Sequence, residues 1–179
     1  MRDPNRKIPI GDNLIVSPCD GSVFQILKWK NTSAKVPKRF FGHVNVLCRD
    51  VAPECHIIMI FMSPFDVHVN RVPFDGKVLK VTHSAGAFHY ARSMVSLENE
   101  KNEVLLSTSF GKMKFVQVAG FLARRIVCYL KPKDKVIKGQ RFGFINVGSE
   151  LIVVLPKKIE VIAKVGQTLR AGESVIART

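Results

Sequence analysis

No apolar run in this chain is long enough to cross a bilayer: hydrophobic residues make up 46% of 179 but come in short stretches such as Ile57-Ile58-Met59-Ile60-Phe61-Met62. No transmembrane helix is predicted. The opening Met1-Arg2-Asp3-Pro4-Asn5-Arg6-Lys7 lacks the apolar core of a signal peptide, which predicts a protein made and kept in the cytoplasm, with any membrane contact peripheral. The four cysteines, Cys19, Cys48, Cys55 and Cys128, form no C-x-x-C pair. That spacing argues against a zinc finger or a thioredoxin motif, predicts free thiols and gives no reason to expect a metal. Acidic residues are scarce, with 14 Asp and Glu against 28 Lys and Arg, a formal charge of +14. Such an excess attracts polyanions, and both nucleic acid and acidic lipid qualify.

Long amphipathic helical periodicity is also missing. What is present is a series of short segments rich in Val, Ile and Phe, punctuated by Gly, Pro, Asp and Asn, the pattern of strands and tight turns. The expected fold is mainly β: one domain over 1–179, a β-sandwich or barrel-like arrangement of hairpins with few short helices. Strands are expected at Leu14 to Val16, Val23 to Lys28, His56 to Met62, Gly76 to Thr82, Lys114 to Ala119, Arg125 to Leu130, Phe142 to Val147 and Leu151 to Leu155. The best helical candidate is a brief one at Ser63 to His68, with Ser63 as cap and Pro64 in the first turn. Two internal echoes stand out. Pro18-Cys19-Asp20-Gly21-Ser22-Val23 resembles Pro73-Phe74-Asp75-Gly76-Lys77-Val78, and Asp134 to Gln140 resembles Gly166 to Glu173. Carrier folds build hairpins this way, but Lys112-Met113-Lys114 is not a carrier attachment motif, so the echoes are read as architecture.

Gly148-Ser149 lies between two apolar segments, where a rigid turn can present a strained peptide bond to its own serine hydroxyl. The Asp66-Val67-His68-Val69-Asn70-Arg71 block concentrates an acid, an imidazole, an amide and a guanidinium, and its histidine can act as acid or base near neutral pH. Asp20, on the first Asp-Gly turn, is either a turn former or an orienter of an imidazole. Taken singly, each of these is more often structural than catalytic.

Taken in order they say more. Arg2-Asp3-Pro4-Asn5-Arg6, Val16-Ser17-Pro18-Cys19-Asp20-Gly21, the Asp66 to Arg71 block, Glu98-Asn99-Glu100-Lys101-Asn102, Val118 to Ile126, and Gly139 to Ile145 leading to Gly148-Ser149 together resemble the phosphatidylserine decarboxylase family in its short prokaryotic form. The resemblance runs over nearly the whole chain. It implies a proenzyme that cleaves itself between Gly148 and Ser149, leaving a β chain of residues 1–148 and an α chain of residues 149–179 that stay associated. Ser149 would become a covalent pyruvoyl group, the electron sink for decarboxylating phosphatidylserine, or an archaeal-type ether analogue, through a Schiff base. The same resemblance implies His68, oriented by Asp20, as base for the cleavage and proton donor for the decarboxylation. Asp66, Asn70, Arg71, Arg124 and Arg125 fall to substrate binding. The implied partners are a phospholipid and an anionic membrane surface on the cytoplasmic face, with no nucleic acid and with homo-oligomerisation left open.

The chain departs from that family's usual pattern at several positions. Glu150 and Ile152 replace an Arg and an Asp after the cleavage serine, Val147 replaces a Phe, Arg71 replaces a second His, Lys101 an Arg and Cys19 an Ala. Two other readings stay in view: a basic, non-enzymatic β-rich binding module, for which Lys28-Trp29-Lys30 and Lys38-Arg39-Phe40-Phe41 supply isolated aromatic-basic clusters, and a family member that has lost processing.

Overall fold

The computed structural model describes residues 2–30, 38–86, 92, 94–120, 125–145 and 148–179. Among the described residues fourteen strands follow one another: β1 (Leu14–Val16), β2 (Gly21–Lys30), β3 (Glu54–Met62), β4 (Val69–Arg71), β5 (Gly76–Ser84), β6 (Lys101–Thr108), β7 (Gly111–Val118), β8 (Ile126–Cys128), β9 (Lys135–Val136), β10 (Arg141–Ile145), β11 (Ser149–Pro156), β12 (Glu160–Val161), β13 (Thr168–Leu169) and β14 (Val175–Arg178). An eight-stranded antiparallel sheet runs β13-β2-β3-β11-β7-β6-β5-β9, flanked by two three-stranded sheets, β4-β10-β8 and β1-β14-β12. The mainly β expectation holds.

Alternation along the central strands sorts their side chains to two faces. From β3 and β11, Ile58, Ile60, Met62, Leu151, Val153 and Leu155 pack with Phe115, Phe142 and Ile145 in the larger core. Their alternates Ile57, Met59, Ile152 and Val154 face a second core with Val116, Trp29, Val44 and Leu47. Because both faces are covered, β11 is buried along its whole length. Trp29, offered above as part of an aromatic-basic cluster, is 2% exposed and serves as core rather than as a stacking platform.

The cover on that second face is a helix the sequence reading did not expect, α1 (Lys38–Arg49). Among its described side chains Val44, Leu47 and Cys48 are buried, and a buried charge assists: the Lys114 ammonium donates to the Val46 carbonyl in the last turn of α1 and pairs with Glu103 at 2.9 Å. A cation near a helix C-terminus meets the negative end of its dipole. Conversely, Ser63 to His68 is a turn and not a helix. Strand β6 was also not anticipated, because it opens on the polar run Lys101-Asn102-Glu103. Phe142 to Val147 was expected to be one strand; β10 stops at Ile145, and residues 146–147 lie outside the described residues.

The two sequence echoes prove to be halves of one repeated contact. The Asp20 carboxylate accepts the Ala171 N–H at 2.7 Å, and the Asp75 carboxylate accepts the Lys138 N–H at 2.5 Å. Gly172 N–H donates to the Ser17 carbonyl, and Gly139 N–H to the Val72 carbonyl. Gly166 N–H reaches the Val23 carbonyl as Lys133 N–H reaches that of Val78. Each Asp-Gly turn therefore grips its own hairpin, and the two grips lie at opposite edges of the large sheet, β2 with β13 and β5 with β9. Glycine follows each aspartate because the neighbouring chain lies too close for a side chain: a Cβ on Gly21 would fall 2.2 Å from the Phe61 carbonyl oxygen, and one on Gly76 2.3 Å from that of Ser107.

Residues 2–7 form a strap across the assembly. Arg71 is buried and donates to the Gly139 and Pro4 carbonyls and to Asp3, which also pairs with Arg141. Arg6 grips Asp20 with one nitrogen, at 2.9 and 2.8 Å to the two carboxylate oxygens.

Candidate functional site

Ser149 is the first residue of β11 and lies opposite Met62, the last residue of β3. Its hydroxyl is fully buried, and its hydrogen bond goes to the Met62 thioether sulfur at 3.6 Å. Sulfur is a weak acceptor, so little holds the hydroxyl in its resting position. The preceding Gly148 has φ +73°, the left-handed region that glycine occupies at no steric cost. A second donor meets the same sulfur: Asn70 Nδ2, from β4, at 3.8 Å. Asn70 is fully buried, and its Oδ1 accepts from Gln117 Nε2 at 2.9 Å.

The turn after β3 carries His68. Ser63 N–H donates to the Asp66 carboxylate at 2.7 Å and Asp66 N–H to the Ser63 carbonyl at 3.1 Å, so Asp66 closes the turn. His68 Nδ1 then sits 2.8 Å from the Asp66 carbonyl oxygen. A carbonyl can only accept, so Nδ1 carries a proton, and Nε2 is the ring nitrogen left to exchange one. That Nε2 is buried with no hydrogen-bond partner among the described residues. Strand pairing brings the turn to the Ser149 end of the sheet, because the His68 carbonyl accepts from Ile145 N–H, just ahead of the Gly148-Ser149 step.

A buried serine at the head of a central strand, with an imidazole at the same end, is an arrangement suited to attack on the serine's own peptide bond. The family model for phosphatidylserine decarboxylase matches residues 1–177. The chain belongs to that family. It is 42% identical to a phosphatidylserine decarboxylase proenzyme of Syntrophus aciditrophicus over 97% of this chain and 75% of the relative. It is equally similar, at 42% over 99% of this chain and 78% of the relative, to a protein of Methanothermobacter thermautotrophicus provisionally named archaetidylserine decarboxylase proenzyme. A Pelobacter propionicus phosphatidylserine decarboxylase proenzyme is 41% identical over 99% of this chain and 74% of the relative.

Within this decarboxylase fold the anticipated residues separate into groups. Ser149 and Asn70 converge on Met62, and His68 lies at the same end. Asp20 was expected to orient His68; its carboxylate instead bonds Arg6 and Ala171 N–H, and the ring takes its orientation from the Asp66 carbonyl. Arg71, expected at the substrate, is spent on the strap and on Gly139. Asp66 is engaged in its own turn, Arg125 is exposed just before β8, and Arg124 lies outside the described residues. Sequence reasoning missed Gln117, although a glutamine within the apolar run Phe115-Val116-Gln117-Val118 is itself a signal, since a buried amide must find partners.

Glu150 points to the opposite face from Ser149 and is fully buried. One carboxyl oxygen accepts from Ser96 Oγ at 2.5 Å, and the other has no partner among the described residues. Burial pushes its pKa up to about 8, against the downward pull of the Ser96 hydrogen bond, so the group is largely protonated at neutral pH. Burial, and after it the charges of Asp20, Asp66 and Glu150, likewise push the Cys19 thiol well above its ordinary range.

A pH prediction follows with a definite sign. The folded protein keeps a proton on Glu150 that the unfolded chain releases above an ordinary value of about 4.5. The resulting stability is full below that value and is lost progressively as pH rises to about 8. Glu150→Gln should flatten this fall and gain on the order of a few kcal/mol over the parent at pH 9. Denaturant unfolding at pH 5.5 and pH 9 checks it, and parallel pH profiles for the two proteins would refute it.

Proposed function

We propose that this chain is a self-cleaving proenzyme whose Ser149-derived pyruvoyl group decarboxylates phosphatidylserine, or an ether-linked archaeal analogue, to the ethanolamine lipid and carbon dioxide. The observation that carries the reading is the buried Ser149 hydroxyl, bonded among the described residues to a thioether, directly after a glycine in the left-handed conformation. In the cleavage step Ser149 Oγ attacks the Gly148 carbonyl carbon, and His68 Nε2 accepts the hydroxyl proton and returns it to the departing amide nitrogen. An ester replaces the amide. Elimination across the serine Cα–Cβ bond then frees the Gly148 carboxylate, and hydrolysis with loss of ammonia completes the new N-terminus of the α chain.

The site fits such a group: it offers an imidazole nitrogen without a partner among the described residues and an amide N–H aimed at a weak acceptor. When present, the pyruvoyl carbonyl supplies the electron sink that amino-acid decarboxylation requires. His68 then supplies the proton that replaces carbon dioxide. Exposed Arg125 is available to the lipid phosphate. The two chains stay together because the α chain contributes the central strand β11, paired with β3 on one side and β7 on the other.

Intact mass under denaturing conditions, with and without phenylhydrazine, tests the reading. Two fragments matching 1–148 and 149–179, the smaller blocked at its N-terminus and reactive, are expected. A single unreactive 20.0 kDa species, stable for days with lipid present, would sink it.

The proposed place of action is the cytoplasmic face of the cell membrane, bound peripherally. No helix among the described residues is long and apolar enough to cross a bilayer. Support comes from the His68 turn itself, where Phe65 is 86% exposed and the Arg2 guanidinium holds the Phe65 carbonyl. Exposed Arg92 lies over the ring of Phe61 at the same end of β3. An aromatic tip amid cations suits an anionic lipid interface. The free thiols of Cys19, Cys48, Cys55 and Cys128 agree with a reducing compartment. Phe65→Ser should weaken co-sedimentation with phosphatidylglycerol-containing vesicles by roughly tenfold while chain cleavage is unchanged. Equal vesicle binding by both proteins would remove Phe65 from the interface.

A further inference from the structure

Three buried amides form a head-to-tail relay that ends at Met62 Sδ, the sulfur that also receives the Ser149 hydroxyl. Asn102 Nδ2, on β6, donates to Gln117 Oε1 at 3.1 Å. Gln117 Nε2, on β7, donates both to the Val127 carbonyl at 3.2 Å and to Asn70 Oδ1 at 2.9 Å. Asn70 Nδ2 donates to Met62 Sδ, the atom that also receives the Ser149 hydroxyl. Asn70 and Gln117 are fully buried and Asn102 nearly so.

The polarity of the relay is fixed by one main-chain atom. The Val127 carbonyl can only accept, so the NH2 end of Gln117 must face it, and the same NH2 must then meet the oxygen of Asn70. Asn70 is left with one orientation, its N–H directed at the sulfur beside Ser149. Low local dielectric and the chain of aligned amides strengthen that donor, while its resting acceptor is weak. A donor with a poor ground-state partner, already aimed where negative charge will develop, stabilises a transition state more than the ground state.

We propose that Asn70 Nδ2–H stabilises the oxyanion of chain cleavage, and that Gln117 and Asn102 are positioning residues that keep it pointed there. The inference rests on the self-cleaving reading above. As Ser149 Oγ bonds to the Gly148 carbonyl carbon, the carbonyl π pair moves onto oxygen, and this oxyanion takes the Asn70 N–H in place of the sulfur. Collapse restores the carbonyl, breaks the C–N bond, and delivers the serine proton to nitrogen. The relay is uncharged throughout, so it assists without titrating.

Gln117→Met and Gln117→Glu, made as full chains by cell-free translation and followed by intact mass over time, test the assignment. Gln117→Met keeps the length but removes the donor and should slow cleavage about a hundredfold or more. In Gln117→Glu an ionised carboxylate draws the Asn70 NH2 towards itself and turns its oxygen towards Ser149. Cleavage should then be slow at pH 8 and recover as the pH falls and the carboxylic acid can donate. Thermal unfolding of both variants separates this from a packing defect, which would lower the melting temperature without acid rescue of the rate. Wild-type cleavage by Gln117→Met, or a Gln117→Glu rate that tracks stability at every pH, would overturn the relay. Failure of the wild-type chain itself to cleave would count against the self-cleaving reading and is scored separately in the same experiment.

Discussion

Ser149→Ala is expected to yield one uncleaved chain of 20.0 kDa, unreactive to phenylhydrazine and without decarboxylase activity at any substrate concentration. The substitution removes the only atom the proposed route uses as nucleophile, so the expected loss is complete rather than graded. It should also be structurally mild. The hydroxyl's bond is to a thioether sulfur, and the alanine methyl suits the apolar company of Met62 and Leu151. Stability should stay within about 1 kcal/mol of the precursor. The comparison is therefore clean, because a folded, soluble, uncut protein isolates the chemistry from the fold. Two fragments from Ser149→Ala would mean that another agent cuts the chain, and the self-processing account would fail.

His68→Ala should reduce the cleavage rate by about 10²–10⁴-fold, the usual contribution of a positioned acid or base. The argument is geometric. The Asp66 carbonyl fixes a proton on Nδ1, which leaves buried Nε2 to exchange a proton, with no hydrogen-bond partner among the described residues. Any precursor that does mature slowly should then show a second deficit, in lipid decarboxylation per pyruvoyl group, since the same ring is assigned the return of the proton. Single-turnover carbon dioxide release, normalised to phenylhydrazine-reactive chain, measures this second step separately. Normal rates in both steps would transfer the acid–base role elsewhere.

Much of the scaffold was legible because short apolar runs bounded by Gly, Pro, Asp and Asn mark strands, even where both faces are buried. The β3 and β11 segments read as strands and are strands. Helix α1 was not legible: Val44, Leu47 and Cys48 are its only fully buried apolar side chains among those described, and part of its anchorage is Lys114, distant in sequence. The Gly148-Ser149 step was singled out through ordered motifs, since a Gly-Ser pair alone is more often a turn. The pairing of Asp20 with His68 did not follow, because nothing in the sequence announces that Arg6 and Ala171 N–H hold that carboxylate. Gln117 was visible only as a polar residue in an apolar strand, and its partners on β4 and β6 required the folded sheet.

The repeated grip of an Asp-Gly turn on a hairpin has a consequence for the mature enzyme. Hairpin 134–140 precedes the proposed cut and hairpin 166–173 follows it, so maturation leaves one grip within a single polypeptide and turns its twin into a joint between two. The α chain is then a docked fragment seated by the same bonds that its counterpart uses intramolecularly. With β11 locked between two neighbours in mid-sheet, that fragment can leave only if the whole sheet opens. The cut thus creates a new chain end at the reactive centre while the surrounding sheet keeps the mechanical continuity of an unbroken protein.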